Sequence, residues 1–351
     1  MKKIILFIIL LFPLNVFSLS ASSVTVMDMD TNRVLYSYNQ NDKRLIASIS
    51  KIMTALVTIN NYDIDKVVTI DESVLKSYGS GIYVEVGEEI SVKDLLYGLM
   101  LRSGNDAAIE LANTVGGSME GFVKLMNEQT ENLGMKNTTF VNSSGLEEND
   151  GTGNMSTSYD MALLMSEAMK NTIFRDIVGT KKYTVKTNYK TYIWHNKNKL
   201  LNTYEYTTGG KTGFTEKARR TLVTTASKDN MNLVIVTLND PNDFSDHKNL
   251  YEEYFNKYKS YKVLDSKEKF ENKNYYIKND RYLTLTSEEY KNIEKEIILY
   301  EENISDLVGV VKVKLNDKEM FKEYIYEKIV KKEKVKKTTF WDKILKFIKN
   351  I

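Results

Sequence analysis

The pattern of apolar residues changes twice along the first 258 residues, from β-rich stretches to a helical period and back to strands. Residues 24–29 and 34–38 are rich in β-branched and aromatic side chains and flank a turn-forming tetrad, which predicts a hairpin. Helices are predicted at 48–57, 91–100, 105–115, 118–133 and 157–169, and further strands at 209–214, 221–226 and 233–238. Strands at both ends of a helical middle predict an α+β domain with a mainly antiparallel sheet.

A change of composition marks a second domain. From residue 259 the chain becomes rich in Lys, Glu, Asn and Tyr, and short alternating stretches follow at 282–285 and 308–315. The length of 351 residues also exceeds that of one typical domain. We therefore expect a main domain over 21–258 and a small β-rich domain over 259–330.

The first 20 residues have the composition of a secretory signal peptide. Lys2 and Lys3 precede an apolar run at 4–12, and small residues around Ser18 and Ser20 allow cleavage after either serine. The apolar run is shorter than the roughly 20 residues that a membrane-spanning helix needs, so an uncleaved anchor is the less favoured alternative. The sequence therefore predicts an exported protein.

The last 21 residues, 331–351, form a basic amphipathic segment. They contain eight Lys against Glu333 and Asp342, whereas the whole chain has a net charge of +2. Their apolar residues make one stripe of a helix: Phe340, Trp341, Ile344, Leu345, Ile348 and Ile351. Such a helix is too short and too charged to span a bilayer, but it suits the surface of an anionic membrane. Packing of this helix on the protein's own body is the alternative.

Composition excludes several kinds of chemistry. The absence of Cys rules out a thiol nucleophile, a thiolate metal site and disulfides. The only histidines are His195 and His247, for which packing roles are expected, and we expect no metal and no other cofactor. A net charge of +2 is not the strong positive charge that is typical of nucleic-acid-binding proteins, so no nucleic-acid partner is expected. An exported enzyme of this composition needs another kind of nucleophile and base.

Ser48 and Lys51 offer such a pair. If a helix begins at Ser48, the two side chains lie three residues apart on one face. A serine hydroxyl needs an adjacent base to become a nucleophile, and burial can lower the pKa of a lysine enough for it to serve. The helix N-terminus adds free backbone N–H groups that suit a developing oxyanion. Alone, the Ser-x-x-Lys spacing is weak, because it is common among solvent-facing residues.

Two further motifs lie downstream of this pair. A Ser-Gly-Asn triplet at 103–105 falls between two predicted helices, where its side chains can reach a cleft, although Asn105 as a plain helix cap is an alternative. A Lys-Thr-Gly triplet at 211–213 lies in a glycine-rich strand, where a ligand can approach the backbone and a lysine and a hydroxyl can hold a carboxylate. A surface lysine beside a bulge explains this second triplet equally well.

Together and in this order, the three motifs resemble those of penicillin-binding proteins and class A β-lactamases. Longer stretches narrow the resemblance to the serine-type, low-molecular-mass D-alanyl-D-alanine carboxypeptidases. These stretches are RLIASISKIMTAL from Arg44, LLYGLMLRSGNDAAIEL from Leu95, LGMKNTTFVNSSGL from Leu133, MSTSYDMALL from Met155 and GGKTGFTEKA from Gly209. The resemblance covers residues 21–258 and implies a β-lactamase/transpeptidase-like fold for that domain.

The resemblance implies a role for each reacting group. Ser48 would be the acylated nucleophile, Lys51 its general base and Ser103 a proton relay. The backbone N–H groups of Ser48 and Phe214 would form the oxyanion hole. The implied reaction removes the terminal D-alanine from peptidoglycan stem peptides ending in D-Ala-D-Ala, through an acyl-enzyme that β-lactams also form. It would take place at the outer face of the cytoplasmic membrane or in the cell wall space.

The resemblance also implies how substrate is bound. Asn105 would hold the substrate amide, while Lys211 and Thr212 would bind the terminal carboxylate, with Gly213 and Phe214 beside them. Lys197 would assist, because related sequences have an arginine there that helps to bind this carboxylate. A lysine keeps the charge of that arginine but loses its bidentate contact.

Two other positions depart from the family pattern. Arg102 stands where many relatives have a proline, and Arg219 stands where a glycine is expected. The second change is the larger, and we expect it to affect the loop after the Lys-Thr-Gly strand. Neither position is a reacting group.

Other functions stay open beside the carboxypeptidase. A class A-like β-lactamase would need a Glu-x-x-Leu-Asn segment, and each Leu-Asn pair in this chain lacks that glutamate. A non-catalytic cell-wall or membrane-binding protein on the same fold would have no need of the motif residues, all of which are present here. A transpeptidase would form the same acyl intermediate and pass it to an amine.

Overall fold

The computed structural model describes residues 19–148, 150–270 and 274–328. The chain divides into two compact units between Lys259 and Ser260. The predicted signal peptide, apart from its last two residues, and the predicted amphipathic helix at 331–351 lie outside the described residues. Within the described ranges, no helix is long and apolar enough to cross a membrane.

The first unit contains both strands and helices. Its strands are β1 (Ser23–Asp28), β2 (Arg33–Tyr38), β3 (Arg44–Leu45), β4 (Val67–Thr69), β5 (Glu89–Ser91), β6 (Met155–Ser156), β7 (Lys182–Lys186), β8 (Thr191–His195), β9 (Thr207–Thr215), β10 (Arg219–Lys228) and β11 (Met231–Leu238). Its helices are α1 (Lys51–Asn61), α2 (Val92–Tyr97), α3 (Asn105–Gly116), α4 (Met119–Asn132), α5 (Ser158–Ala168), α6 (Thr172–Gly179), α7 (Leu200–Thr203) and α8 (Asp243–Lys257).

An antiparallel sheet of five strands organises this unit, in the order β2-β1-β11-β10-β9. The hairpin expected at the start of the chain is therefore present as β1 and β2, and the three strands expected after the helical middle are β9, β10 and β11. The α+β class with a mainly antiparallel sheet, expected from the sequence, is confirmed.

Alternation along the strands gives the sheet two buried faces. Val234 and Val236 of β11 belong to a large core formed with α1, α3 and α5. Leu233 and Ile235 of the same strand belong to a second core, to which α8 contributes Tyr251. The sheet is thus a layer between helices, and the edge strand β9 contacts the turn 47–50 that leads into α1.

The start of α1 differs from the expectation. A helix beginning at Ser48 was predicted, but residues Ala47–Ser50 form a 3-10 turn and the α-helix begins at Lys51. Ala47 takes a positive φ of 48°, and the Ser50 hydroxyl donates to the Ala47 carbonyl at 2.7 Å, which closes the tighter turn. The chain then enters α1 with Ser48 on the turn and Lys51 on the first residue of the helix.

The second unit is built mainly of strands. Its elements are β12 (Lys259–Leu264), β13 (Tyr275–Tyr276), β14 (Arg281–Leu285), α9 (Ser287–Lys291), β15 (Ile293–Ile304), β16 (Leu307–Leu315) and β17 (Lys318–Glu327). The order β13-β17-β16-β15 makes one sheet, and β12 pairs with β14. The predicted stretches at 282–285 and 308–315 correspond to β14 and β16. Val311, Val313 and Ile325 are buried in a core of this unit's own.

Candidate active site

Ser48 and Lys51 meet at the start of α1. The 3-10 turn brings Lys51 Nζ to 3.2 Å from Ser48 Oγ. Lys51 is fully buried, because the first turns of α1 lie beneath α3 and the loop that carries Ser143 and Ser144. The predicted nucleophile and base are therefore in hydrogen-bonding contact, as nucleophilic catalysis by serine requires.

The partners of Lys51 allow its neutral form to act as a base. Its Nζ lies 2.7 Å from Asn105 Oδ1 and 2.5 Å from the Ser144 carbonyl oxygen, and both of these atoms only accept hydrogen bonds. A neutral lysine has two N–H donors and one lone pair. With both donors used, the lone pair is left for the third neighbour, the hydroxyl of Ser48. This arrangement suits removal of the Ser48 proton.

Electrostatics favour the neutral form of Lys51. Burial and the positive charge of Lys197 together lower its pKa to about 7, against the opposing effect of Asp106. An amine with a pKa of about 7 is about half deprotonated at pH 7, which makes Lys51 a suitable general base.

Ser103 and Lys211 form a second contact pair across the site. Lys211 Nζ donates to Ser103 Oγ at 3.1 Å and to the Thr212 carbonyl at 2.8 Å. Ser103 ends the π-helical turn Gly98–Arg102 in a left-handed conformation, with φ of 65°. Strain of this kind at a non-glycine residue concentrates at functional sites. Burial lowers the pKa of Lys211, and the charges of Lys51 and Lys197 lower it further.

Asn105 lies behind the reacting groups. It is the first residue of α3, and Gly104 rather than Asn105 occupies the capping position. Its Oδ1 accepts from Lys51, and its Nδ2 donates to the Tyr78 carbonyl at 2.7 Å. Both ends of the amide are thus bound within the protein, so the structure uses Asn105 to orient Lys51.

Strand β9 runs directly against the turn that carries Ser48. A Cβ atom placed on Gly213 would lie 3.0 Å from the backbone nitrogen of Ser48 and 3.1 Å from that of Ile49. Any side chain at Gly213 would therefore crowd the turn, which explains the glycine. Phe214, the next residue along β9, lines the cavity together with Ser48.

A cavity of about 310 Å³ opens above these groups. Six of the predicted site residues line it: Ser48, Ser103, Lys197, Thr212, Gly213 and Phe214. Lys51, Asn105 and Lys211 are buried behind its wall. Lys197 is held by two bonds, one from its backbone N–H to the Leu101 carbonyl at 3.2 Å and one from its Nζ to Ser80 Oγ at 3.0 Å.

Sequence reasoning missed five residues of the cavity wall: Ser80, Lys199, Arg220, Asp243 and Phe244. Arg220 and Asp243 form an ion pair with an Nη2–Oδ1 distance of 2.8 Å. Lys199 Nζ and the Arg220 guanidinium lie about 6 Å from the Phe244 ring centre. Lys199 lies two residues after Lys197, and Arg220 lies seven residues after Gly213, so their closeness in sequence to predicted site residues could have identified both. Asp243 and Phe244 begin α8, and they reach the cavity wall only when the chain has folded.

The histidines do not take part in this site. His247 is buried between Thr224 and Thr237, whose hydroxyls lie 2.7 and 3.0 Å from its ring nitrogens. Burial lowers its pKa to about 3, so it stays neutral. His195 ends strand β8 with an exposed side chain. Neither residue lines the cavity, and the described residues hold no cluster of three or more acidic or histidine side chains that could bind a metal.

The departure at Arg219 has a structural consequence. Arg219 begins β10 with a φ of 62°, a conformation that costs a non-glycine residue about 1–2 kcal/mol. Its exposed ion pair with Glu216, at 3.5 Å, compensates for little of this cost. The loop thus keeps a backbone suited to glycine although its sequence has changed.

We expect the Arg219→Gly variant to be more stable than the wild type. Removing the left-handed strain should outweigh the entropy that glycine adds to the unfolded chain, for a net gain of about 0.5–1 kcal/mol. Thermal unfolding followed by circular dichroism measures this, with Lys217→Gly as the control at an exposed position in the same loop that lacks a positive φ. Equal destabilisation by both substitutions would show that Arg219 is unstrained.

Comparison with known proteins gives consistent matches to the first unit. Residues 13–242 match the sequence profile of a family described as D-alanyl-D-alanine carboxypeptidase. The chain is 37% identical over 222 residues to the D-alanyl-D-alanine carboxypeptidase DacF of Bacillus subtilis, covering 62% of this chain and 56% of that one. It is also 37% identical to a D-alanyl-D-alanine carboxypeptidase of Streptomyces sp. K15, covering 58% and 75%.

A solved structure shares the fold as well. The crystal structure of the Streptomyces K15 DD-transpeptidase superposes with a TM-score of 0.65 at 33% identity, over 68% of this chain and 98% of that chain. The similarity is therefore to both carboxypeptidases and a transpeptidase, and it extends over little more than half the length of DacF.

Proposed function

The chain belongs to the D-alanyl-D-alanine carboxypeptidase family of peptidases, and on that basis we propose that it is an exported serine D-Ala-D-Ala carboxypeptidase. Its substrate is a peptidoglycan stem peptide, from which it removes the terminal D-alanine. The observation that carries this proposal is the set of contacts of Lys51 Nζ, which lies 3.2 Å from Ser48 Oγ and within 2.7 Å of two fixed acceptor oxygens. In the neutral lysine, those two acceptors take both N–H donors and leave the lone pair for the Ser48 proton.

The reaction proceeds in two steps. Lys51 takes the proton of Ser48, and Ser48 Oγ attacks the carbonyl carbon between the two D-alanines. The backbone N–H groups of Ser48 and Phe214 stabilise the negative charge on the carbonyl oxygen. The peptide bond breaks, and the leaving amine of D-alanine takes, by way of Ser103, the proton that Lys51 accepted from Ser48, so that Lys51 is neutral again for the second step. Water then hydrolyses the ester on Ser48 and regenerates the hydroxyl.

Recognition of the terminal carboxylate rests on the positive wall of the cavity. Thr212 and Lys197 line the cavity and contact the carboxylate directly. Lys211 is buried and donates to Ser103 and to the Thr212 carbonyl, so it contributes its charge from behind. Because these groups favour an anion, substrate without a free carboxylate binds weakly.

A substrate with an amidated terminal D-alanine should therefore react slowly. We expect kcat/KM to fall by about 10²-fold or more relative to the free acid, which corresponds to the loss of a charge-assisted contact. Release of D-alanine amide and of D-alanine, measured by chromatography, gives the two rates. Equal rates on the acid and the amide would show that Thr212, Lys197 and Lys211 do not bind the terminal carboxylate.

The related functions are separated by the fate of the acyl-enzyme. We expect a fluorescent penicillin to label the enzyme stoichiometrically and nitrocefin to be turned over slowly. Rapid nitrocefin turnover would instead favour a β-lactamase, and the absence of labelling would favour a non-catalytic binding protein. Transfer of the acyl group to an added amine in place of water would show the transpeptidase activity.

The C-terminal segment 331–351 supports a location at the membrane surface. Its eight lysines and its apolar stripe suit an anionic bilayer, each lysine contributing up to about 1 kcal/mol near the surface. An exported enzyme held in this way works at the outer face of the cytoplasmic membrane, next to the cell wall.

Deletion of 331–351 should release the enzyme from the membrane fraction without loss of penicillin labelling. The segment follows the described strands of the second unit and contains none of the proposed site residues. Cell fractionation and labelling of both fractions make the measurement. A truncated enzyme that stays with the membrane contradicts the anchor, as does full-length enzyme in the soluble fraction.

A further inference from the structure

Two buried aspartates lie beside the start of the described chain. Asp240 follows strand β11 and is 0% exposed, and Asp246 lies early in α8 and is 3% exposed. Ser20 bridges them: its hydroxyl lies 2.5 Å from Asp240 Oδ1 and 2.9 Å from Asp246 Oδ2, and its backbone N–H donates to Asp246 Oδ2 at 2.9 Å. The segment before β1 is thus tied to both elements.

This bridge leaves the pair of carboxylates incompletely satisfied. The Ser20 hydroxyl has one proton and can donate to only one of the two carboxylates at a time. Asp240 Oδ2 is buried and has no hydrogen-bond partner among the described residues. A buried polar atom without a partner is costly, and a second carboxylate nearby adds to that cost. A further hydrogen-bond donor would therefore stabilise this pair, and a positively charged donor would stabilise it most.

No side chain within the described ranges supplies that positive charge. No Lys, Arg or His there forms an ion pair with Asp240 or Asp246. The carbonyl of Arg220 accepts from the Asp240 N–H, but the Arg220 guanidinium is paired with Asp243. Burial and the neighbouring charge of Asp246 together raise the pKa of Asp240 to about 6. The pair thus has the character of a cation site.

We propose that this site binds the α-ammonium group that signal-peptide removal creates. The inference rests on the export proposed above. Cleavage after Ser18 leaves the new amino group on Leu19, one residue before the bridging Ser20, whereas cleavage after Ser20 removes that serine and leaves the amino group on Ala21. Adjacent Cα atoms are about 3.8 Å apart, so either amino group lies within one residue of the position of the Ser20 nitrogen, which donates to Asp246 Oδ2 at 2.9 Å. An ammonium offers three donors, enough for Asp240 Oδ2 and for Asp246.

The consequence is that processing stabilises the folded enzyme. In the precursor, the nitrogen at this position belongs to an uncharged amide. After cleavage, a charged group joins two carboxylates that are already positioned, linking the segment before β1 to β11 and α8. Ser22, which bonds to the carbonyls of Leu238 and Asn239, extends the same link. The mature N-terminus is then a structural element of the first unit.

A comparison of N-termini tests this proposal. The processed full-length enzyme, with its first residue identified by mass spectrometry, is compared with the same chain carrying a four-residue Gly-Ser extension that turns the α-ammonium into an amide. Each form is made as wild type, as Asp246→Asn and as Glu128→Gln, the last being an exposed acidic residue of α4. Thermal unfolding gives the Tm of all six.

We expect the extension to lower the Tm by on the order of 5 °C in the wild type and in Glu128→Gln, and by less than about 1 °C in Asp246→Asn. An extension that lowers the Tm equally in wild type and Asp246→Asn overturns the proposal. A purified protein that still carries residues 1–18 overturns it too. Penicillin labelling, measured on the same samples, reports on the proposed function independently of these outcomes.

A titration of the α-amino group provides a test that needs no variant. The group is methylated with ¹³C-formaldehyde and followed by NMR in the folded enzyme and in the urea-unfolded chain. Two neighbouring carboxylates stabilise the charged form, so the midpoint should be higher in the folded enzyme. A midpoint equal to or below that of the unfolded chain overturns the proposal.

Discussion

The Ser48→Ala variant should take up no covalent β-lactam, whereas the wild type should gain the mass of one β-lactam per chain. Ser48 Oγ is the hydroxyl that lies beside both the lysine base and the cavity. Removing a catalytic nucleophile typically lowers the rate by 10⁴-fold or more. Intact-protein mass spectrometry after incubation with penicillin detects the adduct, and thermal unfolding checks that the variant is folded.

Ser50→Ala is the matched control for this substitution. Ser50 lies on the same 3-10 turn, but its hydroxyl is buried and donates to the Ala47 carbonyl at 2.7 Å. Its loss should lower stability by about 1 kcal/mol and leave acylation in place. A Ser48→Ala variant that still gains one β-lactam would show that another residue is the nucleophile.

The Lys51→Arg variant should be nearly as damaged as Ser48→Ala. Arginine keeps the positive charge but stays protonated at any accessible pH, so it cannot take the Ser48 proton. The longer guanidinium also cannot reproduce the bonds to Asn105 and the Ser144 carbonyl without movement of the buried wall. Stopped-flow acylation by a fluorescent penicillin measures the loss, expected at about 10³-fold or more. Full acylation would rule out Lys51 as the base.

The same assignment gives a pH dependence. The pKa of Lys51 is lowered to about 7, mainly by burial, and the neutral amine is the reactive form. The acylation rate of the wild type should therefore rise as the pH increases through about 7 and level off above it. A rate that is flat between pH 5 and pH 9 would contradict a lysine base with this pKa.

The parts of the fold that sequence analysis predicted are those with a clear local signal. The hairpin of β1 and β2 is rich in β-branched and aromatic residues, and Thr157, where the predicted helix 157–169 begins, is the residue that caps α5. The π-helical turn at Gly98–Arg102 was predicted as ordinary helix, because its apolar spacing does not differ from that of an α-helix. Its effect appears only at Ser103, which it turns toward Lys211.

The reacting groups of the site could be predicted from the sequence, but the backbone carbonyl that holds Lys51 in place could not. Helical spacing predicted that Ser48 and Lys51 are neighbours. Ser103 and Lys211 were pointed to by the resemblance to the carboxypeptidase family, and the structure brings their side chains into contact. The acceptor of Lys51 at Ser144 is a backbone carbonyl, which any residue has. Tertiary packing alone decides which carbonyl faces a buried lysine.

Release of D-alanine from a stem peptide ending in D-Ala-D-Ala is the most direct test of the proposed activity. The purified enzyme is incubated with the peptide, and free D-alanine is measured with time by chromatography, beside the Ser48→Ala variant. We expect steady release of one D-alanine per peptide by the wild type and none by the variant. A folded wild-type enzyme that is acylated by penicillin yet releases no D-alanine, or a variant that releases it at the wild-type rate, would contradict a serine D-Ala-D-Ala carboxypeptidase acting through Ser48.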